Sequence, residues 1–185
     1  MDIPSKFQLR QGYRNNGLHK QLTIFSKDDH KLFFARSKSI LWTRKHIEIT
    51  DINDRNKILL NITFEKESPA GPRTYRVTDV SGKDIGYFKK ETGLSDSSRR
   101  SYLYDSNGSK IGEFSDKPKA KPGHPGSLRP SYSYATNEGE VICAKVFRHN
   151  KIFSVYHSAE ILAENTIDRR ILLAELVVYS YRTTR

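Results

Sequence analysis

Asp168-Arg169-Arg170-Ile171-Leu172-Leu173-Ala174-Glu175-Leu176-Val177-Val178-Tyr179-Ser180-Tyr181 is the longest apolar run in the chain, and its reading decides the fold. From Ile171 to Tyr181 only Glu175 and Ser180 interrupt it, so a helix here is apolar on nearly every side. Such a helix must be surrounded by protein or by lipid. At about a dozen residues it falls short of the roughly 20 that cross a bilayer. Asp168 suits an N-cap, and Arg182 and Arg185 suit the negative end of the helix dipole. The competing reading is a buried strand, because Val177, Val178, Tyr179 and Tyr181 favour sheet and short apolar runs are ambiguous. Either way the run is an interior element, and the rest of the chain must supply its surroundings.

The chain has 185 residues, enough for one domain with a real core and short for two. Only 36% of residues are apolar, but 10 Tyr, 9 Phe and one Trp add buried area and argue against disorder. The formal net charge is +11, which favours anionic partners: nucleic acid, acidic protein or an anionic membrane face. Cys143 is the only cysteine, so no internal disulfide forms and a reducing compartment is expected. The first residues lack the apolar core of a signal peptide, and neither a myristoylation glycine nor a prenylation cysteine is present. The expectation is an intracellular, cytoplasmic protein without a transmembrane segment, peripheral to a membrane if it meets one.

Residues 1–20 are polar without sustained periodicity and read as an irregular lead-in. From Leu22 a pattern recurs: a short β-prone segment, a polar turn, and another β-prone segment. Leu22–Phe25 turns through Lys27-Asp28-Asp29-His30 into Leu32–Ala35; His46–Thr50 turns through residues 51–56 into Ile58–Phe64. Tyr75–Thr78 returns as Ile85–Phe88, Tyr102–Tyr104 as Ile111–Phe114, and Tyr132–Tyr134 as Val141–Phe147. Ile152–Tyr156 and Ile161–Ala163 close the series. Period-two alternation bounded by Asp, Asn and Gly is the signature of hairpins. About twelve strands followed by one wholly apolar helix have a natural solution: a mainly β fold, a closed antiparallel barrel with the helix in its lumen, as a single domain over 21–185. The helix is expected over about 167–182.

The repeated strand–turn–strand units Val77-Thr78-Asp79-Val80-Ser81-Gly82 and Leu103-Tyr104-Asp105-Ser106-Asn107-Gly108, followed by a C-terminal apolar helix, resemble the tubby C-terminal-like superfamily, which includes LURP-one-related proteins and phospholipid scramblases. The resemblance covers roughly residues 20–182 and rests on the order of the elements. It implies a twelve-stranded barrel around a central hydrophobic helix, and phosphoinositide binding by cations near one end of that barrel. The chain departs from scramblases in lacking a cysteine cluster and a proline-rich N-terminal extension.

The strongest candidate for function is the Pro- and Gly-rich segment 115–131, whose Lys117, Lys119, Lys121 and Arg129 make a cationic arm suited to phosphates of lipid or nucleic acid; a solvated insertion with no partner is the competing reading. Further candidates for an anionic ligand are Arg44, Lys45, Arg99 and Arg100; Arg36, Lys38, Lys89, Lys90, Arg148 and Lys151 make up the other basic groups. Most aromatics fall at core positions of the alternation, leaving few for base stacking, which argues against nucleic acid.

Residues 105–116 carry oxygens at several calcium-loop positions, but Lys110 stands where an EF-hand requires Gly, and a hairpin turn is expected instead. The six histidines are dispersed, so no zinc site is expected, and Cys143 reads as a buried thiol within a strand. Glu175 must find a partner or stay protonated, and an ion pair or hydrogen bond with the surrounding strands is expected. No nucleotide-binding glycine loop, catalytic constellation or cofactor motif is present. The sequence therefore points to a non-enzymatic binder of anionic phospholipid headgroups, with an intracellular protein-interaction scaffold, or weak non-specific nucleic-acid binding, as the alternative.

Overall fold

The computed structural model describes residues 1–12, 21–37, 46–66, 73–90, 100–115, 131–136, 139–151, 154–162 and 167–183; within these, 11–12, 66, 131–136, 139–143, 148–151, 154–156 and 182–183 are described by their backbone. The described residues are mainly β. Twelve strands, β1 (Lys6–Gly12), β2 (Gln21–Ser26), β3 (Lys31–Ser37), β4 (His46–Asp51), β5 (Ile58–Lys66), β6 (Arg73–Asp79), β7 (Asp84–Lys90), β8 (Arg100–Asp105), β9 (Lys110–Ser115), β10 (Ser131–Thr136), β11 (Gly139–Lys151) and β12 (Ser154–Ile161), precede one helix, α1 (Arg169–Thr183). Each strand pairs antiparallel with the next in sequence, and β1 pairs with β2 on one side and with β12 on the other.

Alternation along the strands builds the core. Leu22 and Ile24, Ile47 and Ile49, Leu60 and Ile62, and Tyr75 and Val77 are buried, while Thr23, Asn61 and Arg76 between them are partly exposed and Glu48 is buried. The helix completes that core. Every residue from Ile171 to Tyr181 is buried, and its partners come from widely separated strands: Tyr181 Oη donates to the Ala35 carbonyl of β3 (2.8 Å), and Phe114 of β9 and His157 of β12 meet Tyr179 edge-on. At Gly86 of β7 a side chain would lie 2.4 Å from the Tyr104 carbonyl oxygen and 2.7 Å from Ile171 Cδ1. A side chain at this position would therefore collide with both the neighbouring strand and the helix, so only Gly fits.

Asp168 is the N-cap. Its Oδ1 accepts from the Arg170 amide (2.8 Å), a first-turn donor with no partner inside the helix, and its carbonyl accepts the first helical bond, from Leu172 (3.2 Å). The cap and the continuous burial decide for helix over strand, although Val177, Val178, Tyr179 and Tyr181 have sheet propensity. Propensity differences amount to tenths of a kcal/mol per residue and yield to tertiary packing.

Two strand boundaries differ from the sequence expectation. The lead-in is not irregular throughout: Lys6–Gly12 is a strand that pairs with both β2 and β12, with Phe7 and Leu9 buried. Its alternation contributes just two apolar residues, too short a signal to stand out. Ile152–Tyr156 and Ile161–Ala163 are not two strands; Ser154–Ile161 is one, aligned residue by residue with β1 and β11. Its interior alternation is carried by His157 and Ala159, which a search for aliphatic runs passes over.

Three hairpins share one turn. Ser26, Asp79 and Asp105 each close a three-residue loop by pairing with His30, Lys83 and Ser109, and the last loop residue has positive φ: Asp29 at 62°, Gly82 at 82° and Gly108 at 84°. In each case the first side-chain oxygen accepts from the amides two and four residues on. This is a type I turn followed by a left-handed residue, and it fixes register by a local bulge. The recurrent Asp-x-x-Gly of the sequence is thus a turn device.

Candidate functional site

The antiparallel order separates the connections into two sets. Connections 27–30, 52–57, 80–83, 106–109, 137–138 and 162–168 join strand ends on one side, here the turn end, where α1 begins. Connections 13–20, 38–45, 67–72, 91–99, 116–130 and 152–153 join the opposite strand ends, here the loop end, toward which α1 runs. The second set carries ten Lys or Arg against four Asp or Glu; the first carries four against six.

Of the residues chosen from sequence, Arg44, Lys45, Arg99, Lys117, Lys119, Lys121 and Arg129 lie outside the described residues. Arg100 is described: it begins β8 opposite Ser115 of β9, and among the described residues its buried Nε has no hydrogen-bond partner. Arg36 at the end of β3 is engaged by the buried Glu48 (3.0 Å), with His46 Nε2 3.6 Å from the same carboxylate. Arg73 is exposed at the start of β6. Lys90 is not a surface cation. It follows Phe88 on the inward side of β7 and reaches the helix.

That interior contact is the most constrained polar site described. Lys90 Nζ lies 2.8 Å from Glu175 Oε1, and Ser101 Oγ donates to the same oxygen (3.0 Å). The lysine side chain is 6% exposed and the carboxylate fully buried. Glu175 was legible as a buried acid needing a partner. Lys90 was signalled by alternation from Phe88, but its neighbour Lys89 disguised it as part of a surface pair. A second interior contact, Ser180 Oγ with His157 Nδ1 (3.1 Å), ties α1 to β12. Both groups are sealed from solvent, at 0% and 1% exposure, and the contact braces α1 against β12.

On the outer face, Tyr87 stacks on Tyr104 (4.7 Å between centroids), so these tyrosines are not core residues as the sequence suggested for most aromatics. Nearby cations are matched by acids: Arg76 bonds Glu65 and Asp84, and Lys110 bonds Glu113 (3.2 Å). The Glu65 and Asp84 bonds hold the Arg76 guanidinium above its usual pKa despite partial burial. In the Asp105 loop, Oδ1 accepts from the Asn107 and Ser109 amides at 2.9 and 2.8 Å, which is the hairpin-turn arrangement expected from the sequence. No cluster of three potential metal ligands occurs among the described residues, and none of their helices is long and apolar enough to cross a membrane. The Cys143 side chain lies outside the described residues. No family model, no curated protein and no solved structure matches this chain.

Proposed function

We propose that the chain is a non-enzymatic, tubby-like module: a closed barrel around α1 that binds anionic phospholipid headgroups through the cations of its loop end. Closure is supported by the pairing of β1 with both β2 and β12, and the tubby-like reading by the strand order and the buried C-terminal helix. The observation that carries the binding reading is the segregation of charge. Ten cationic side chains against four acidic ones fall in connections joining strand ends of one end, in a chain whose net charge is +11. Each basic side chain close to an anionic surface adds roughly 1 kcal/mol, which supports a reading of peripheral binding.

The test is sedimentation with neutral, phosphatidylserine and phosphoinositide vesicles at two salt concentrations. Phosphoinositide-selective binding that survives the higher salt is expected. Replacing Lys117, Lys119 and Lys121 by Glu is expected to weaken it without unfolding the protein. Binding equal on all anionic vesicles and lost at the higher salt, or no binding, would overturn the reading in favour of a scaffold.

A further inference from the structure

We propose that Arg100, with Ser115 across from it, forms a phosphate site on the outer face at the loop end, and that this site selects phosphate monoesters over phosphodiesters. It deepens the headgroup reading above and rests on it for its lipid source. Among the described residues, Arg100 stands apart from the other arginines. Arg36 is held by Glu48, Arg76 by Glu65 and Asp84, Arg169 by the Ile3 carbonyl and Arg170 by Asp168. Arg73 is exposed at the start of β6, where water serves it. Arg100 is half-buried, and its Nε is shut off from solvent without a hydrogen-bond partner. A guanidinium that has given up hydration at one nitrogen and gained no acceptor there is costly to hold. An anion on the remaining edge of the group offsets that cost, because opposite charge favours the ionised form that burial disfavours.

Strand register supplies the neighbours. Ser101 and Leu103 are buried against the core, so Arg100 and Tyr102 belong to the outer face of β8. Arg100 is paired directly with Ser115 of β9, and the burial of Phe114 puts Ser115 on that same face. The row runs on through the backbone of Ser131 in β10 to Lys145 of β11, an exposed cation. The acids that register places beside this row are engaged elsewhere: Glu113 is bonded to Lys110 (3.2 Å) and Glu160 to Lys6 (2.6 Å). A guanidinium fork, a hydroxyl and a further cation in one row make a donor set for a tetrahedral oxyanion. The number of free oxygens then chooses the ester. A phosphodiester has two, which the fork alone satisfies. A monoester has three, so the Ser115 hydroxyl finds an acceptor that a diester lacks, and it carries about −1.5 to −2 charge at pH 7 to set against the under-solvated guanidinium.

Titration calorimetry of the full chain with inositol trisphosphate, a headgroup without its acyl chains, tests the site apart from any membrane. The wild type is expected to bind it. Arg100→Lys keeps the charge and loses the fork, and is expected to remain folded by circular dichroism while binding about tenfold or more weakly. Ser115→Ala is expected to bind several-fold more weakly. Arg73→Gln removes a cation from the same end at an exposed position and is expected to bind as the wild type does. On vesicles, Arg100→Lys is expected to keep its binding to phosphatidylserine and to lose its preference for phosphoinositide. No binding of inositol trisphosphate by the wild type, wild-type affinity in Arg100→Lys, or an equal loss in Arg73→Gln would overturn the site, and leave wild-type vesicle sedimentation to decide the headgroup reading. Binding of inositol trisphosphate that depends on Arg100, without binding to any vesicle, would uphold the site for a soluble phosphate monoester and overturn the headgroup reading, so the two fail separately.

Discussion

Glu175 is a carboxylate placed where no water reaches, and its geometry explains how the fold tolerates it. Lys90 supplies the opposite charge at 2.8 Å and Ser101 a hydroxyl hydrogen bond at 3.0 Å, from adjacent strands paired through Lys90 and Ser101 themselves. A buried pair of this kind contributes little net stability over apolar residues of similar volume, but removing one partner strands the other charge, at a cost of about 3–5 kcal/mol. Lys90→Met is therefore expected to lower unfolding free energy by about that amount in urea titrations. Lys90→Met with Glu175→Leu is expected to recover most of the loss. Equal stabilities for the single variant and the wild type would show that the contact carries no charge. The pair also fixes the register of the helix, since a shift of one residue along α1 turns Glu175 by about 100° toward apolar neighbours.

Among the elements, α1 shows most directly how a short sequence signal becomes structure. Asp168 was legible as a cap because it precedes an apolar run, and it caps through Oδ1 as such residues do. Burial raises the pKa of its carboxyl, but the Arg170 side-chain bond, the Arg170 amide and the guanidinium charge outweigh it, and the net shift is downward. A depressed folded-state pKa contributes stability that is present above the ordinary aspartate value and lost as pH falls through the folded one. Asp168→Ala is expected to cost about 0.5–2 kcal/mol near neutral pH, read by chemical denaturation. Asp168→Asn keeps the cap but not the charge, so its deficit relative to wild type is expected to shrink as pH falls below about 4. A deficit unchanged across that range would show that the charge is idle. β1 teaches the opposite lesson. Its Phe7 and Leu9 are fully within the core, yet between Lys6, Gln8 and Arg10 they make too short an alternation to be seen without the strands on either side.

At the scale of the whole molecule, strands and helix depend on each other. Residues of β3, β7, β8, β9 and β12 all meet α1, so the sheet without the helix would lose the packing of its buried face and the Lys90 ammonium its Glu175 partner. That dependence accounts for what the sequence revealed: a run apolar on every side needs a surround, and repeated hairpins were the sole material for one. It also accounts for what stayed hidden. The cleft at the turn end is formed by residues 1–3, 59–60, 79–80 and 167–170, distant in sequence and brought together by the tertiary fold, so no local pattern announces it. The same dependence predicts the outcome of breaking the helix in place. Leu176→Pro removes one helical hydrogen bond and clashes with the preceding turn, at about 3 kcal/mol or more, within a helix that has no room to bend. Because the strands have no other core, the β signal in the far ultraviolet and the tyrosine signal in the near ultraviolet are expected to disappear together. A variant that kept its far-ultraviolet β signal while losing only near-ultraviolet structure would show that the sheet stands without its helix.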